Sequence, residues 1–312
     1  MTAPPPKSQP LYQTAAIVGV GLIGGSIAAA LRRRGLAREV VGVGRDAGRL
    51  GRAVDLQLID RYSTSLEETA RQADLMVFCT PVDRIEAGIR EAAAVCRPGT
   101  LLTDAGSVKQ SICRPLATGL PAGTLFVGSH PMAGGEQQGC THANSELFVG
   151  RRCVVTPVES TPPEAVDRAS QLWRGIGGNV LVMSPEEHDA TVARASHVPH
   201  IAAAALAAIL PTQAFPVAST GFRDATRIAS GDPDLWTSIL LQNDTDVAAG
   251  LRELESQVAA FRAAIEQRDA TALCELLRAG QNTRTLWLRV FNAPAGATDL
   301  STTVEDTDAL GS

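Results

Sequence analysis

The stretch Gly19-Val20-Gly21-Leu22-Ile23-Gly24-Gly25-Ser26 takes over from the apolar run AAIVGV (15–20) and leads into a helical stretch, Ile27 to Arg34. Its glycines are spaced G-x-G-x-x-G. At a strand-to-helix turn, Gly19 allows the tight bend, Gly21 lets the backbone approach a pyrophosphate, and Gly24 lets the helix pack against the strand. The first helical turn, with Leu22 and Ile23, then offers unpaired N–H groups to the phosphates. Alone the spacing is weak. Between a strand and a helix, and followed by a second strand, it points to a dinucleotide site.

Further along the chain, short β-branched runs alternate with helix-length segments. They are EVVGVG (39–44), DLMVFCT (74–80), TLLTDA (100–105), TLFVGS (124–129), CVVTP (153–157) and NVLVM (179–183). Runs separated in this way predict parallel strands joined by crossover helices, and their continuous apolar character suits strands buried on both faces. Residues 14–183 therefore read as an α/β Rossmann domain. From Ser184 the strand pattern stops. Ser184-Pro185-Glu186-Glu187 places a capping Ser, a proline at the first helical position and acids in the first turn. Helices are expected over about 185–209, interrupted at Pro199, then from Asp232 to about Gln267, and over roughly 270–291. The domain 184–292 is thus all-helical, and its long apolar helices call for burial against a second subunit. Residues 1–13 read as a flexible arm and 293–312 as a polar tail, because neither has apolar periodicity.

The 312 residues are 45% hydrophobic and 20% charged, with a formal net charge of −5. That length suits about two domains. The charge balance disfavours bulk nucleic-acid binding. No apolar run is long enough to span a bilayer, and the N-terminus lacks the apolar core of a signal peptide. Six cysteines are scattered without a CxxC pair, so free thiols in a cytoplasmic protein are expected, with no metal site.

The candidate chemistry lies at strand ends. After the second strand come Gly44, Arg45 and Asp46. Glycine where an acid usually binds the ribose 2′-OH, followed by Arg45, favours a 2′-phosphate and NADP over NAD. Asp46 reads either as a helix cap or as the displaced acid. Thr80 and Pro81, in Cys79-Thr80-Pro81, end a later strand. Ser107, in Asp104-Ala105-Gly106-Ser107-Val108-Lys109, ends the next, either as a simple helix cap or with an added role in the site. His130 leaves a strand in the glycine-rich stretch Gly128-Ser129-His130-Pro131-Met132-Ala133-Gly134-Gly135-Glu136, where a neutral imidazole can take a proton from a hydroxyl. In the helical half, Ser196-His197-Val198-Pro199-His200 adds two imidazoles. Arg223 and Arg227, four apart, share a face if helical, and the planar guanidinium suits carboxylates.

The motifs GVGLIGGS, DAGSVK, GSHPMAGGE, SHVPH and GFRDATRIASGDPDLW occur in order over about residues 15–290. With them the sequence resembles the prephenate/arogenate dehydrogenase family of tyrosine biosynthesis. The resemblance implies a Rossmann domain followed by a 6-phosphogluconate-dehydrogenase-like helical domain that forms a dimer. It implies hydride transfer from the hydroxyl-bearing ring carbon to NAD(P)+, loss of the ring carboxylate as carbon dioxide, and aromatisation. On the matching positions His130 is the catalytic imidazole and Ser107 helps position the hydroxyl. Arg227 binds a substrate carboxylate, His197 and His200 fall in the substrate-side motif, and Glu136 is an acidic loop position near the site. Asp224 is expected to orient Arg227 or its loop. Trp236 lines the pocket or packs. His142 and His188 are left structural or exposed. With no room for an ACT or chorismate-mutase domain, a monofunctional enzyme is expected.

Two alternatives stand beside this reading. A β-hydroxyacid-type NAD(P)-dependent dehydrogenase would need a lysine on the first long helix of the second domain, and Ser184 to Leu210 contains none. A non-catalytic NAD(P)-sensing protein would need only the glycine-rich turn and leaves His130, Ser107 and Arg227 unexplained.

Overall fold

The structure is a computed structural model that describes residues 9–121, 123–135 and 137–292. The first elements are β1 (Tyr12–Val18), α1 (Leu22–Arg33), β2 (Ala37–Val43), α2 (Ala47–Asp55), β3 (Arg61–Ser63), α3 (Leu66–Ala70), β4 (Leu75–Phe78), α4 (Val82–Ala93), β5 (Leu101–Asp104), α5 (Gln110–Leu116) and β6 (Leu125–Phe126). The strands form one six-stranded sheet in the order β3-β2-β1-β4-β5-β6, with every pairing parallel. The order reverses beside β1, as the doubly wound plan requires. Alternate side chains point to opposite faces. Ala15, Ile17, Val40, Leu75, Val77 and Leu101 pack on one face, and Ala16, Val18, Met76, Phe78 and Leu102 on the other. Both faces are covered, which is why these strands read as unbroken apolar runs.

Three expectations need correction here, and one strand was not foreseen. The arm is shorter than 1–13, because Tyr12 and Gln13 belong to β1 and the Tyr12 side chain is buried. Strand β3 was invisible in the pattern. Its three residues, Arg61-Tyr62-Ser63, are held at the sheet edge with the help of a two-pronged Arg61–Glu39 pair at 2.9 and 3.0 Å. The run 124–129 is two strands, with β6 ending at Phe126 and β7 (Gly128–Pro131) belonging to a second sheet. Gly128 makes the bend possible, since a Cβ there would lie 2.4 Å from Cys113 Sγ. In that second sheet β7 pairs antiparallel with β8 (Arg152–Thr156), so not every strand is parallel. After α6 (Pro163–Gly175), β9 (Asn179–Val182) completes the sheet parallel to β8.

The helices follow from α7 (Pro185–Val192). Ser184 accepts from Glu187 N–H and Glu187 accepts from Ser184 N–H, a reciprocal cap. The expected helix 185–209 is carried through Pro199 by a π-helical turn, Ala193–His197, which runs into α8 (Val198–Ala208). A wider turn accommodates the ring and the missing N–H without ending the helix. Then come α9 (Thr220–Thr226), a 3-10 turn at Arg227–Ser230, and α10 (Pro233–Gln242), capped by Asp232. The expected helix 232–267 breaks at Asn243, before α11 (Asp244–Glu266) and α12 (Ala270–Asn292).

The chain divides into two compact units, residues 1–250 and 251–312. The expected boundary near residue 184 lies within the first of them. Within the first unit, α7 packs on α5 and β8, and α10 packs on α4, so the early helices belong with the sheets. Among the described residues no helix is long and apolar enough to cross a membrane.

Candidate active site

The glycine-rich turn forms one wall of a cleft of about 1170 Å³. Gly19, Gly21, Gly44, Arg45, Asp46, Thr80 and Pro81 line it, with Arg49, Arg52 and Arg84. Gly19 has a φ of +93°, and α1 starts at Leu22 with Gly21 as its cap residue. Leu22 and Ile23 form the first turn, and Ile23 also packs on the core. Buried Gly24 lies beneath the turn and does not line the cleft.

Two observations show that the cleft fits a nucleotide. A Cβ on Gly21 would meet nothing within 4 Å, so the space above it is open. Thr80, which also lines the cleft, has a buried Oγ1 without a hydrogen-bond partner, which a ligand polar group would satisfy. Asp46 caps α2, accepting from Arg49 N–H at 3.0 Å, with its other oxygen 3.3 Å from Arg49 Nε. Its carboxylate is thus engaged, in a part of the cleft where Arg45, Arg49 and Arg52 predominate.

His130 stands on β7, partly exposed, with Nδ1 2.8 Å from Nε2 of His188. His188 in turn places Nδ1 2.7 Å from Oδ1 of Asp189. The Asp189 carboxylate accepts Lys109 N–H on Oδ1 and Gln110 N–H on Oδ2, both at 2.8 Å. Below this chain the fully buried Lys109 ammonium pairs with Asp104 and donates to Ser129 O at 2.9 Å. Asp104 also accepts from Gly106 N–H at 2.8 Å and from Ser129 N–H at 3.0 Å. Burial first, then the neighbouring His188, Lys109 and His197, holds the His130 imidazole well below the usual histidine range. Burial also lowers the His188 pKa, and the Asp189 hydrogen bond works against it.

His188 and Asp189 are thus buried members of the cluster, and of the two readings of His188, structural or exposed, the exposed one does not hold. Sequence reasoning missed both. The pair stands in a well-capped helix, but nothing local joins residue 188 to residue 130. Ser107 is partly buried between Asp104 and Lys109, and α5 starts without a side-chain cap, so the simple cap reading does not hold.

On the helical side His197 and His200 are both buried. His200 stacks on Trp236 with centroids 3.5 Å apart, and His197 meets the same indole edge-on at 6.1 Å. Trp236 therefore packs on the two imidazoles. Asn243 Nδ2 donates to Asp189 O at 2.9 Å and lies 3.2 Å from His197 Nδ1. Because the carbonyl fixes the amide orientation, His197 accepts at Nδ1 and carries its proton on Nε2. Burial lowers the His197 pKa to about 4.

Arg227 is exposed and begins the 3-10 turn that packs against α8. Helix α9 ends one residue earlier, so Arg223 and Arg227 do not form a simple helical i,i+4 pair. Asp224 pairs with Arg223, at 2.9 Å. Glu136 lies outside the described residues. Two positions on, Gln138 donates to Asp232 Oδ2 at 2.6 Å, tying the segment after β7 to the cap of α10.

The chain is similar to known proteins along most of its length. The family model for the prephenate dehydrogenase nucleotide-binding domain matches residues 27–182, and that for the prephenate dehydrogenase dimerization domain matches residues 184–279. Prephenate dehydrogenase of Bacillus subtilis is 33% identical over 281 residues, covering 88% of this chain and 76% of its own. Cyclohexadienyl dehydrogenase of Zymomonas mobilis is 31% identical, covering 88% and 96%. Among solved structures, prephenate dehydrogenase from Aquifex aeolicus in complex with hydroxyphenyl propionate and NAD+ superposes with a TM-score of 0.81 at 31% identity, covering 88% of this chain and 97% of that one. Synechocystis arogenate dehydrogenase superposes with a TM-score of 0.76 at 31% identity, covering 88% and 100%.

Proposed function

Because the chain belongs to the prephenate dehydrogenase family, we propose that it catalyses the oxidative decarboxylation of prephenate to 4-hydroxyphenylpyruvate, or of arogenate to tyrosine, with NAD(P)+ as hydride acceptor. When bound, the nicotinamide supplies that acceptor. The protein has a modest task, because aromatisation and loss of carbon dioxide supply the driving force. It must hold the ring in place and remove the hydroxyl proton.

The observation that carries this reading is the state of His130. A partly exposed imidazole whose pKa is driven below the usual range is neutral at pH 7 and can accept a proton. Ser107, on the segment that Asp189 anchors, helps position the hydroxyl. Arg227 binds a substrate carboxylate, with His197 and His200 lining the substrate side and Glu136 near it. Gly19, Gly21, Leu22, Ile23, Thr80 and Pro81 hold the dinucleotide, and Gly24 beneath them lets the turn pack closely on β1. Arg45, with Arg49 and Arg52 beside it, favours a 2′-phosphate, so NADP is preferred. Residues 14–183 act as the nucleotide-binding domain and 184–292 as the substrate and dimerisation domain, a division supported by the junction between the two matched family models. Exposed Val258, Ile265, Leu277, Trp287 and Phe291 give the second unit the apolar surface that a homodimer would cover.

The test is a grid of initial rates with prephenate or arogenate, each with NAD+ or NADP+. The largest kcat/KM identifies substrate and cofactor. No turnover in any combination, from a folded protein that binds nucleotide, refutes the assignment. His130→Asn should bind nucleotide normally and lose turnover by about 100-fold or more.

A further inference from the structure

We propose that His188 and Asp189 are positioning residues that fix the tautomer of His130 and supply the counter-charge for the imidazolium it forms during turnover. The inference rests on the reading of His130 as proton acceptor and explains how the fold keeps it one.

Asp189 sets the order of protons along the chain. Its two oxygens already face backbone N–H groups, those of Lys109 and Gln110. As an acceptor, the carboxylate requires a proton on Nδ1 of His188. A neutral imidazole carries one proton, so Nε2 of His188 is bare and accepts. The group facing it is Nδ1 of His130, which must then donate. Neutral His130 consequently has its lone pair on Nε2. With the opposite tautomer, Nε2 would donate to a hydroxyl and could not remove its proton. The two hydrogen bonds, at 2.7 and 2.8 Å, therefore select the competent form of the base.

Charge points the same way. Lys109, Asp104 and Asp189 are fully buried, leaving the cluster one negative charge in excess while the histidines are neutral. A proton taken up at Nε2 of His130 balances it. Lys109 and His197 also face the ring and oppose that proton, as His188 does when it is itself charged, whereas a neutral His188 accepts the Nδ1–H of the imidazolium at its bare Nε2. Asp189 is buried among N–H donors and offers no way out, so the proton returns to water from Nε2 after product leaves. The same carboxylate anchors Lys109 and Gln110 just beyond Ser107, so one group sets both the base and the segment beside it.

The test compares His188→Phe, His188→Gln and His130→Asn. Both changes at 188 leave the Asp189 bonds to Lys109 and Gln110 available, and thermal unfolding and nucleotide Kd serve as controls for the fold. His188→Phe should lower kcat about 100-fold with KM little changed. It should also move the acidic limb of the kcat profile to lower pH, because the imidazolium loses the acceptor of its Nδ1–H. In His188→Gln the amide oxygen can accept that N–H, and about tenfold of the loss should return. A His188→Phe enzyme within twofold of the unaltered protein, beside an inactive His130→Asn, overturns the relay and leaves His130 as base. An active His130→Asn overturns both. Nitrogen NMR of the unaltered protein is independent of any variant's folding. The proton of neutral His130 is expected on Nδ1, and finding it on Nε2 overturns the proposal.

Discussion

A methyl group added at Gly24 would lie 2.0 Å from the carbonyl oxygen of Gly19 and 3.0 Å from Ile17 Cγ2. Neither backbone can move without unseating α1 from β1. Gly24→Ala should therefore cost about 2 kcal/mol or more in urea unfolding. Gly21→Ala meets nothing and should fold normally, but it fills space reserved for the ligand, and so should raise KM for the nucleotide. Equal loss of stability in the two variants would contradict this division of roles. Arg45→Ala should weaken NADP+ about tenfold while changing NAD+ little, as read by Kd. The glycines and His130 could be read from the sequence because each sits in a local pattern that needs its residue type. His188 and Asp189 could not. Their meaning arises only when α7 is folded against β7 and α5, and a buried histidine pair has no local signature.

The element that matters most for the site is α7, a short helix that packs on α5 and β8 and runs on into the π turn. The reciprocal cap between Ser184 and Glu187 closes its N-terminus. Ser184→Ala should lower the unfolding free energy by about 1 kcal/mol, measured by urea titration, and an unchanged midpoint would mean that packing alone holds α7. That cap was legible in the sequence, as were Asp232 and the helix it opens. The π turn at 193–197 was not, because Pro199 reads locally as an interruption rather than as a site where a wider turn carries the helix through. The break at Asn243 was hidden for a related reason. Its side chain bonds to Asp189 O and His197 across the helical layer, and that long-range use interrupts an otherwise helical sequence. Strand β3 escaped notice because an edge strand of three residues has little apolar face to display.

Across the molecule, four of its five histidines have pKa values pressed below the ordinary value. The unfolded chain takes up protons first, near pH 6.5, so this contribution to stability is complete above that value and drains as the pH falls toward each folded value. For His197, lowered to about 4, the window runs from about 6.5 to about 4 and the contribution reaches at most about 3 kcal/mol. Urea midpoints should fall between pH 7.5 and pH 5. A midpoint that rises over that interval would refute the account. The doubly wound sheet was legible in the sequence because continuous apolar runs and helix-length spacers repeat. The second sheet was not separable from it, because Gly128 merely looks like one more strand residue until Cys113 is seen to press against it.

Lys109 and Lys7 are the chain's only lysines, and the Lys109 amine is fully sealed against Asp104. Amine-directed dyes, tethers and cross-linkers are therefore shut out from Lys109 while the fold is closed. Acylation of Lys109 requires the cluster beneath His130 to come apart. The rate at which that amine is captured by a small anhydride would be a clock for local opening, recorded by mass alone and needing no engineered label.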